Sequence, residues 1–311
     1  MPTPIEATAP GKIILFGEHS VVYGQPAIAV PVSQVRAKCT VRENPAGDGI
    51  LLNAPDIDRR EYLSAAGDGD PLALVVRRTL DALGVDEPLL EIIVSSTIPI
   101  ACGLGSGAAI SAAIIRALGK YFHHPFEPQT VSDIAFEVEK IYHGTPSGID
   151  NTVVAFAQPI FFIKGQPIER LATGAPLTFV IGDTGIKSPT YKVVGDLRAR
   201  RNENPVAYDP IFSQMGMLAR NARTAIERGD TDTVGRLMAE NHAILRELGI
   251  SHPRLDALVD AATDAGALGA KLSGAGWGGN MIALATPDAA TTIGAALRSA
   301  GAVRVIETVV R

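Results

Sequence analysis

Residues 98–109 read Ile-Pro-Ile-Ala-Cys-Gly-Leu-Gly-Ser-Gly-Ala-Ala and lead directly into an Ala- and Ile-rich segment that continues to about Tyr121. The composition of that segment predicts a helix, and the glycines ahead of it predict a loop at the N-terminus of the helix. Glycine lets backbone N–H groups approach a ligand closely, and the positive end of a helix dipole attracts anions. This stretch could therefore hold a phosphate group.

The glycine loop differs from the two common nucleotide-binding loops. No Lys-Ser or Lys-Thr pair follows the glycines, as a Walker A loop requires. The spacing of Gly103, Gly105 and Gly107 also departs from the dinucleotide-binding pattern G-x-G-x-x-G. Close packing of the helix through its Gly and Ala residues would explain the same composition, so this segment alone leaves phosphate binding and helix packing open.

Two carboxylates flank a sharp turn further along the chain. Glu139 lies near the end of a helix predicted over 131–142, and Asp150 follows the turn-forming residues 143–148. In phosphoryl transfer, one carboxylate can hold Mg²⁺ while another accepts the proton of the attacking hydroxyl. A surface position for Glu139 and a helix N-cap at Asp150 would need no chemistry. Taken by themselves, the two residues favour that structural explanation.

Three further polar residues stand near the start of the chain. Lys12 interrupts an apolar strand over 9–15, so it must point to solvent, pair with a carboxylate or face a cleft. Glu18 and His19 lie in the loop over 17–24, where they could position a substrate or simply form the loop.

A second glycine loop over 271–279 reads Lys-Leu-Ser-Gly-Ala-Gly-Trp-Gly-Gly and precedes a strand. Its backbone N–H groups could hold an acid or a phosphate. A tight turn, with Trp277 as a packing residue or a lid, is the alternative.

Composition limits the classes of function. The chain has 311 residues, a formal net charge of -5 and a pI near 5.7, which argues against general affinity for nucleic acid or anionic membranes. Cys39 and Cys102 are the only cysteines, so neither a disulfide framework nor a zinc cluster is expected. Residues 1–12 lack the pattern of a secretory signal, and the apolar stretch over 107–118 is too short to cross a bilayer. We therefore expect a cytoplasmic protein with no membrane or nucleic-acid partner.

Periodicity of apolar residues predicts strands and helices in the first half of the chain and mostly amphipathic helices in the second. The Asp-, Gly- and Pro-rich residues 53–71 are predicted to form an exposed loop, and the domain boundary is placed near 170–178. The main predicted helices cover 72–83, 191–201, 210–228, 232–248, 253–266 and 287–300, and the main predicted strands cover 12–16, 26–32, 37–41, 89–94, 161–163, 177–181, 281–284 and 303–308.

Four stretches, taken together and in this order, resemble the motifs of the GHMP kinase superfamily, which includes galactokinases and the homoserine, mevalonate and phosphomevalonate kinases. They are residues 9–24, 99–109, 143–151 and 271–279. The first reads Ala-Pro-Gly-Lys-Ile-Ile-Leu-Phe-Gly-Glu-His-Ser-Val-Val-Tyr-Gly and is most similar to the mevalonate kinases. Galactokinases differ from it after Gly-Glu-His.

The resemblance implies an α+β protein with the two-domain GHMP kinase fold. Residues 1–172 would form the nucleotide-binding domain, which is ribosomal protein S5 domain 2-like, and residues 173–311 a ferredoxin-like domain. The implied activity transfers the γ-phosphate of ATP to the 5-hydroxyl of mevalonate, with Mg²⁺, in the mevalonate route to isoprenoids. The implied partner is therefore a small molecule, and the superfamily also suggests a homodimer.

The same resemblance implies roles for individual residues. Asp150 corresponds to the catalytic base and Lys12 to its basic partner, which would favour the ionised carboxylate and stabilise the developing alkoxide. Glu139 corresponds to the magnesium ligand, with help from Ser106. Those implied at the ATP phosphates are Pro99, Gly103, Leu104, Gly105, Ser106, Gly107, Ala108 and Ala109. Those implied at the acceptor are Lys12, Glu18, His19, Asp150, Thr190, Gly274 and Ala275.

Three residues depart from the superfamily pattern. Gly107 stands where a second serine, expected on the metal, is usual; Trp277 replaces a glycine, and Asn280 a common cysteine.

Two other functions stay open. One is a kinase of the same superfamily that acts on a related hydroxy acid or a sugar, although the loop over 18–24 argues against sugars. The other is a catalytically silent nucleotide-binding regulator, which the missing serine favours and the presence of Lys12, Glu139 and Asp150 disfavours.

Overall fold

The structure is a computed structural model that describes residues 3–99, 102–143 and 146–311. The strands in these residues are β1 Ile5–Phe16, β2 Ala27–Glu43, β3 Leu51–Ala54, β4 Arg59–Tyr62, β5 Leu90–Ser96, β6 Ile160–Phe162, β7 Glu169–Arg170, β8 Leu177–Asp183, β9 Gly269–Ser273, β10 Asn280–Ala285 and β11 Arg304–Val310. The α-helices are α1 Pro71–Leu83, α2 Ser106–Tyr121, α3 Pro128–His143, α4 Ile149–Phe156, α5 Thr190–Glu203, α6 Pro205–Arg228, α7 Thr231–Glu247, α8 Pro253–Asp264 and α9 Ala290–Ser299.

The chain folds into two compact units, each built from several segments. The first unit takes the described residues within 1–11, 35–99 and 105–157, and the second takes those within 12–34, 100–104 and 158–311. Strands β1 and β2 run through both units, because each crosses a segment boundary. The predicted division into domains 1–172 and 173–311 describes continuous segments and stays a prediction.

The first unit places helices against a mixed sheet. Its strands follow the order β4-β3-β5-β2, with β3 parallel to β5 and the other pairs antiparallel. Helix α2 contacts β5 and also packs on α1, α3 and α4. Ten residues of α2 are buried, many of them alanines, and these small side chains let three helices approach it closely.

The second unit is built on a four-stranded antiparallel sheet in the order β11-β8-β10-β9. Ile181 at the centre of β8 lies opposite Ile282 of β10 and Ile306 of β11. Helices α7, α8 and α9 pack on this sheet, and α6 packs on α7. Strands β6 and β7 add to β2 within the same unit.

Capping residues explain where several helices begin. Asp70 accepts a hydrogen bond from the Ala73 amide at 2.8 Å ahead of α1, and Asp230 accepts one from the Thr233 amide at 3.0 Å ahead of α7. Asn204 accepts from the Ala207 amide at 3.2 Å, so α6 begins at Pro205 rather than at the predicted residue 210.

The structure corrects three further predictions. The strands predicted over 26–32 and 37–41 are one strand, β2, which continues through the exposed Ser33 and Gln34 between them. Residues 53–71 are not a simple exposed loop: they complete β3, contain β4 and bury Leu63 completely. Lys271, Leu272 and Ser273 lie in strand β9 rather than in the glycine loop. Among the described residues, no helix is long and apolar enough to cross a membrane.

Candidate active site

The predicted phosphate loop leads into α2, and the N-terminus of this helix has no side-chain cap. Gly105 adopts the left-handed conformation with φ 73° and precedes α2, whose first turn has no side-chain cap. The Ala109 amide donates to the Gly105 carbonyl at 3.0 Å and makes the first helical hydrogen bond. The amides of Ser106, Gly107 and Ala108 precede that bond, so helix geometry leaves them without a carbonyl of the helix to bind. These groups and the helix dipole favour an anion at this end of α2.

A carboxylate stands beside the same helix end. A Cβ atom built on Gly107 would lie 3.5 Å from Glu139 Oε1 of α3, which is ordinary van der Waals contact. Ser106, the first residue of α2, is half-buried. One carboxylate and one hydroxyl next to a helix end that favours an anion fit Mg²⁺, which takes few protein ligands and completes its shell with phosphate and water. Among the described residues, no group of three or more His, Cys, Asp or Glu is arranged to hold a metal ion.

Asp150 is the second residue of α4 and lies in the first unit with Glu139. The N-cap of α4 is Gly148, so the alternative that made Asp150 an N-cap is wrong. The next residue, Asn151, ties α4 to α3: its Nδ2 donates to the Ser132 carbonyl at 3.0 Å and to Ser132 Oγ at 2.8 Å. The position of Asp150 relative to α3 is thereby fixed.

Lys12 lies in the second unit and is 3% exposed, which excludes the alternative that it points to solvent. Its backbone amide donates to the Leu104 carbonyl at 2.9 Å. Two residues further along β1, the Ile14 amide donates to Ser273 Oγ at 3.0 Å, and that hydroxyl donates to the Ile14 carbonyl at 2.9 Å. The strand that carries Lys12 is thus attached both to the phosphate loop and to β9.

Glu18 forms a buried ion pair that nothing in its loop sequence indicates. Lys271 Nζ of β9 donates to Glu18 Oε1, and it also donates to the Leu272 carbonyl at 2.6 Å. The two side chains are 0% and 1% exposed. Burial raises the pKa of Glu18 and lowers the pKa of Lys271, and in each case the partner's charge opposes the shift. Within the described part of the chain, the other oxygen, Glu18 Oε2, is buried and has no hydrogen-bond partner.

A histidine lies behind this ion pair. The Leu272 amide donates a hydrogen bond to His242 Nδ1 of α7 at 3.4 Å. On the other side of the ring, His242 Nε2 lies 3.3 Å from Asp256 Oδ1 of α8. Burial, reinforced by the positive charge of Lys271, lowers the pKa of His242 to about 4. His242 is therefore neutral at physiological pH and accepts a hydrogen bond from the backbone of β9.

His19 is held by the second glycine loop. Its Nε2 lies 2.9 Å from the Ala275 carbonyl oxygen, and the ring is 6% exposed. Burial lowers the pKa of His19 to about 4, although the contact with Ala275 opposes the shift. His19 is neutral near pH 7, and because a carbonyl only accepts, Nε2 carries the proton.

The glycine loop over 274–279 also contacts the segment that leads to Thr190. Ser188 Oγ donates to the Gly276 carbonyl at 2.6 Å, and the Thr190 amide donates to the Ser188 carbonyl at 2.9 Å. Thr190 itself is exposed and begins α5. On the other side of the loop, a Cβ atom at Gly103 would lie 3.8 Å from the Ser273 carbonyl oxygen.

The predicted residues therefore fall into two groups. The first unit holds Pro99, Gly105, Ser106, Gly107, Ala108, Ala109, Glu139 and Asp150, and the second holds Lys12, Glu18, His19, Gly103, Leu104, Thr190, Gly274 and Ala275. Because Lys12 and Asp150 belong to different units, their pairing stays a prediction. The motifs do not indicate a role for Lys271; the one signal for it in the sequence is a lysine between apolar residues, as at Lys12.

Two family models and many curated relatives match this chain. Residues 72–158 match the family model described as the GHMP kinases N terminal domain, and residues 222–303 match that of the GHMP kinases C terminal. A mevalonate kinase of Thermococcus sibiricus is 35% identical over 98% of this chain and 96% of its own length. The chain belongs to the GHMP kinase family. The family resemblance and the two-domain α+β fold expected from the sequence are thereby confirmed.

Solved structures of GHMP kinases agree with the fold. The crystal structure of L. major mevalonate kinase in complex with R-mevalonate has a TM-score of 0.86 and 30% identity, and the match covers 100% of this chain and 99% of that one. The Methanococcus jannaschii mevalonate kinase gives a TM-score of 0.85 and 26% identity over 98% of each chain. The GHMP kinase motifs thus lie in a GHMP kinase fold, with the glycine loop at the start of α2.

Proposed function

We propose that this GHMP kinase transfers the γ-phosphoryl group of ATP to the 5-hydroxyl of mevalonate. The observation that carries the proposal is the match to a mevalonate kinase at 35% identity over nearly the full length of both chains. The uncapped start of α2 supports the donor side, because its free amides suit a phosphate. In this proposal the ATP phosphates bind along 103–109, with Pro99 at the edge of the loop.

On the donor side, Glu139 and Ser106 are the residues that would hold Mg²⁺. Their placement at the end of α2 supports the assignment, since a Cβ atom on Gly107 would touch the Glu139 carboxylate at 3.5 Å. When bound, the cation neutralises negative charge on the phosphates. The protein supplies the helix amides that orient the nucleotide, and positioning of this kind accounts for much of the catalysis of phosphoryl transfer.

On the acceptor side, we assign Asp150 as the base that accepts the hydroxyl proton and Lys12 as the cation that favours the ionised carboxylate. Glu18, His19, Thr190, Gly274 and Ala275 would surround mevalonate. Glu18 is held by Lys271 through one carboxylate oxygen, and the other, Oε2, is buried without a hydrogen-bond partner among the described residues; its place at the acceptor rests on the motif resemblance. The homodimer and the cytoplasmic location remain predictions from the sequence.

The test is a coupled assay of ADP release with purified protein, ATP and Mg²⁺, run against a panel of acceptors. We expect mevalonate to support the fastest turnover, with phosphomevalonate, homoserine and galactose far slower. Faster turnover with any of those three would overturn the acceptor assignment and leave the kinase fold intact. Tight ATP binding without transfer to any acceptor would instead favour a silent nucleotide-binding regulator.

A further inference from the structure

Trp277 is the only tryptophan of the chain, and it stands in the middle of the glycine loop over 274–279. Its φ of 55° lies in the left-handed region, which residues with a Cβ rarely adopt. A glycine would take this conformation at lower cost, so the surrounding contacts must hold the larger residue in place. Two hydrogen bonds from Trp277 show what those contacts are.

Both hydrogen bonds end on the turn between α7 and α8. The Trp277 backbone amide donates to the Ile250 carbonyl at 2.9 Å, and the indole Nε1 donates to the Gly249 carbonyl at 2.9 Å. The preceding residue, Gly276, lies so near that a Cβ atom there would come within 2.2 Å of the Ile250 carbonyl oxygen. The backbone of the glycine loop is therefore in direct contact with the backbone of this turn.

The turn is itself held firmly. The Ile250 amide donates to the Leu245 carbonyl at 2.9 Å, and the Gly249 amide donates to the Arg246 carbonyl at 2.9 Å, which closes the end of α7. Arg200 of α5 donates to the Leu248 carbonyl at 2.9 Å from the other side. Trp277 thus connects the glycine loop to a part of the second unit that has three hydrogen bonds of its own.

The residue held by the glycine loop is His19. Its Nε2–H donates to the Ala275 carbonyl, two residues before Trp277. The neutral ring then has an unprotonated Nδ1, which accepts a hydrogen bond and cannot donate one. A displacement of Ala275 would remove the preference for this tautomer.

We propose that Trp277 is a positioning residue: its two hydrogen bonds fix the Ala275 carbonyl, which selects the Nε2–H tautomer of His19 and leaves Nδ1 to accept a hydrogen bond from a hydroxyl of the acceptor. The consequence for catalysis rests on the proposed function, in which His19 lies at the acceptor. The control of the tautomer by Trp277 does not depend on the identity of the acceptor.

Two variants distinguish the effect of the indole N–H group from that of the whole Trp277 side chain. Trp277→Phe keeps an aromatic ring and removes the indole donor, whereas Trp277→Gly suits the left-handed backbone and removes the side chain, so at least one should fold. Tyr121→Phe is the matched control, since it removes a hydroxyl from a half-buried aromatic ring in the first unit. The nitrogen-15 spectrum of labelled histidine rings reports the tautomer directly, and His19→Gln assigns the His19 signals.

In the wild-type protein we expect His19 to show one protonated nitrogen, Nε2. Both Trp277 variants should show a mixture of tautomers and a KM for mevalonate raised by about 3- to 10-fold, the effect of one ordinary hydrogen bond. The KM for ATP should change less than about 2-fold in each variant, and Tyr121→Phe should match the wild type in every measurement.

A His19 spectrum identical to wild type in both Trp277 variants would overturn the proposal, as would an unchanged KM for mevalonate accompanied by mixed tautomers. If the wild-type protein does not phosphorylate mevalonate at all, the proposed function fails, and the histidine spectra still decide whether Trp277 controls the tautomer. The two failures are therefore distinguishable.

Discussion

Replacing Lys271 by methionine should strongly destabilise the second unit, because the change leaves the Glu18 carboxylate buried without its partner. The Lys271 and Glu18 side chains are 0% and 1% exposed, so water cannot replace the lost contact. Breaking a buried ion pair by removing one partner costs about 3–5 kcal/mol. A domain of this size loses roughly 2–4 °C of Tm per kcal/mol, so we expect a fall on the order of 10 °C.

The loss should depend on pH in a defined direction. Burial already raises the pKa of Glu18, and removing the Lys271 charge that opposes this shift raises that pKa further. A carboxyl whose pKa is raised on folding contributes stability at low pH and loses it as the pH rises through the folded-state pKa. The difference in Tm between Lys271→Met and wild type should therefore grow as the pH rises above 4.5, the ordinary pKa of a glutamate.

Thermal unfolding followed by circular dichroism measures both effects. The double variant Lys271→Met with Glu18→Gln, which has no buried charge at this pair, should recover at least half of the loss. Lys164→Met, at an exposed lysine in the same unit, is the matched control and should stay within about 1 °C of wild type. A Tm of Lys271→Met equal to that of the control, or a loss that does not change with pH, would refute the reasoning.

Two further predictions concern the metal site and acid stability. Gly107→Ser should be tolerated and should lower the Mg²⁺ concentration for half-maximal activity, because its Cβ would contact Glu139 Oε1 at 3.5 Å without a clash; a Mg²⁺ titration that matches wild type would contradict this. Burial lowers the pKa values of His19 and His242 from 6.5 to about 4. Between these two pH values the histidines are protonated in the unfolded chain and neutral in the folded one. The free energy of unfolding should therefore fall as the pH drops from about 6.5 towards 4. The upper limit is about 3 kcal/mol for each histidine, and a Tm that stays constant across this range would be inconsistent with buried neutral rings.

The helices of the second unit were predictable because their signals are local. Apolar periodicity places α7 and α8 within about two residues of their observed bounds, and Gly229 and Gly249 mark the ends of α6 and α7. The start of α6 was missed because the helix continues through Pro210 back to the cap at Asn204. A proline inside a helix is more often a boundary than an interior residue.

Contacts between residues far apart in the chain were harder to predict from the sequence. Glu18 and Lys271 are separated by 253 positions, and no periodic pattern in either segment indicates that they meet. Strand β9 was missed for a related reason: its residues Lys271–Ser273 adjoin a cluster of glycines that reads as a loop, and only pairing with β10 makes them a strand. The residue types of the candidate site were recognisable from its motifs, whereas the anchoring of His19 by Ala275 required the structure.

The most direct test of the kinase assignment compares wild type and Asp150→Asn in the same preparation, with ADP release measured in the presence of ATP, Mg²⁺ and mevalonate and ATP binding measured in parallel. We expect mevalonate-dependent ADP release from the wild type and a loss of about 100- to 10,000-fold in the variant, the contribution of a general base, with ATP affinity preserved. Near-normal turnover in Asp150→Asn, or no mevalonate-dependent ADP from the wild type, would contradict the proposed chemistry.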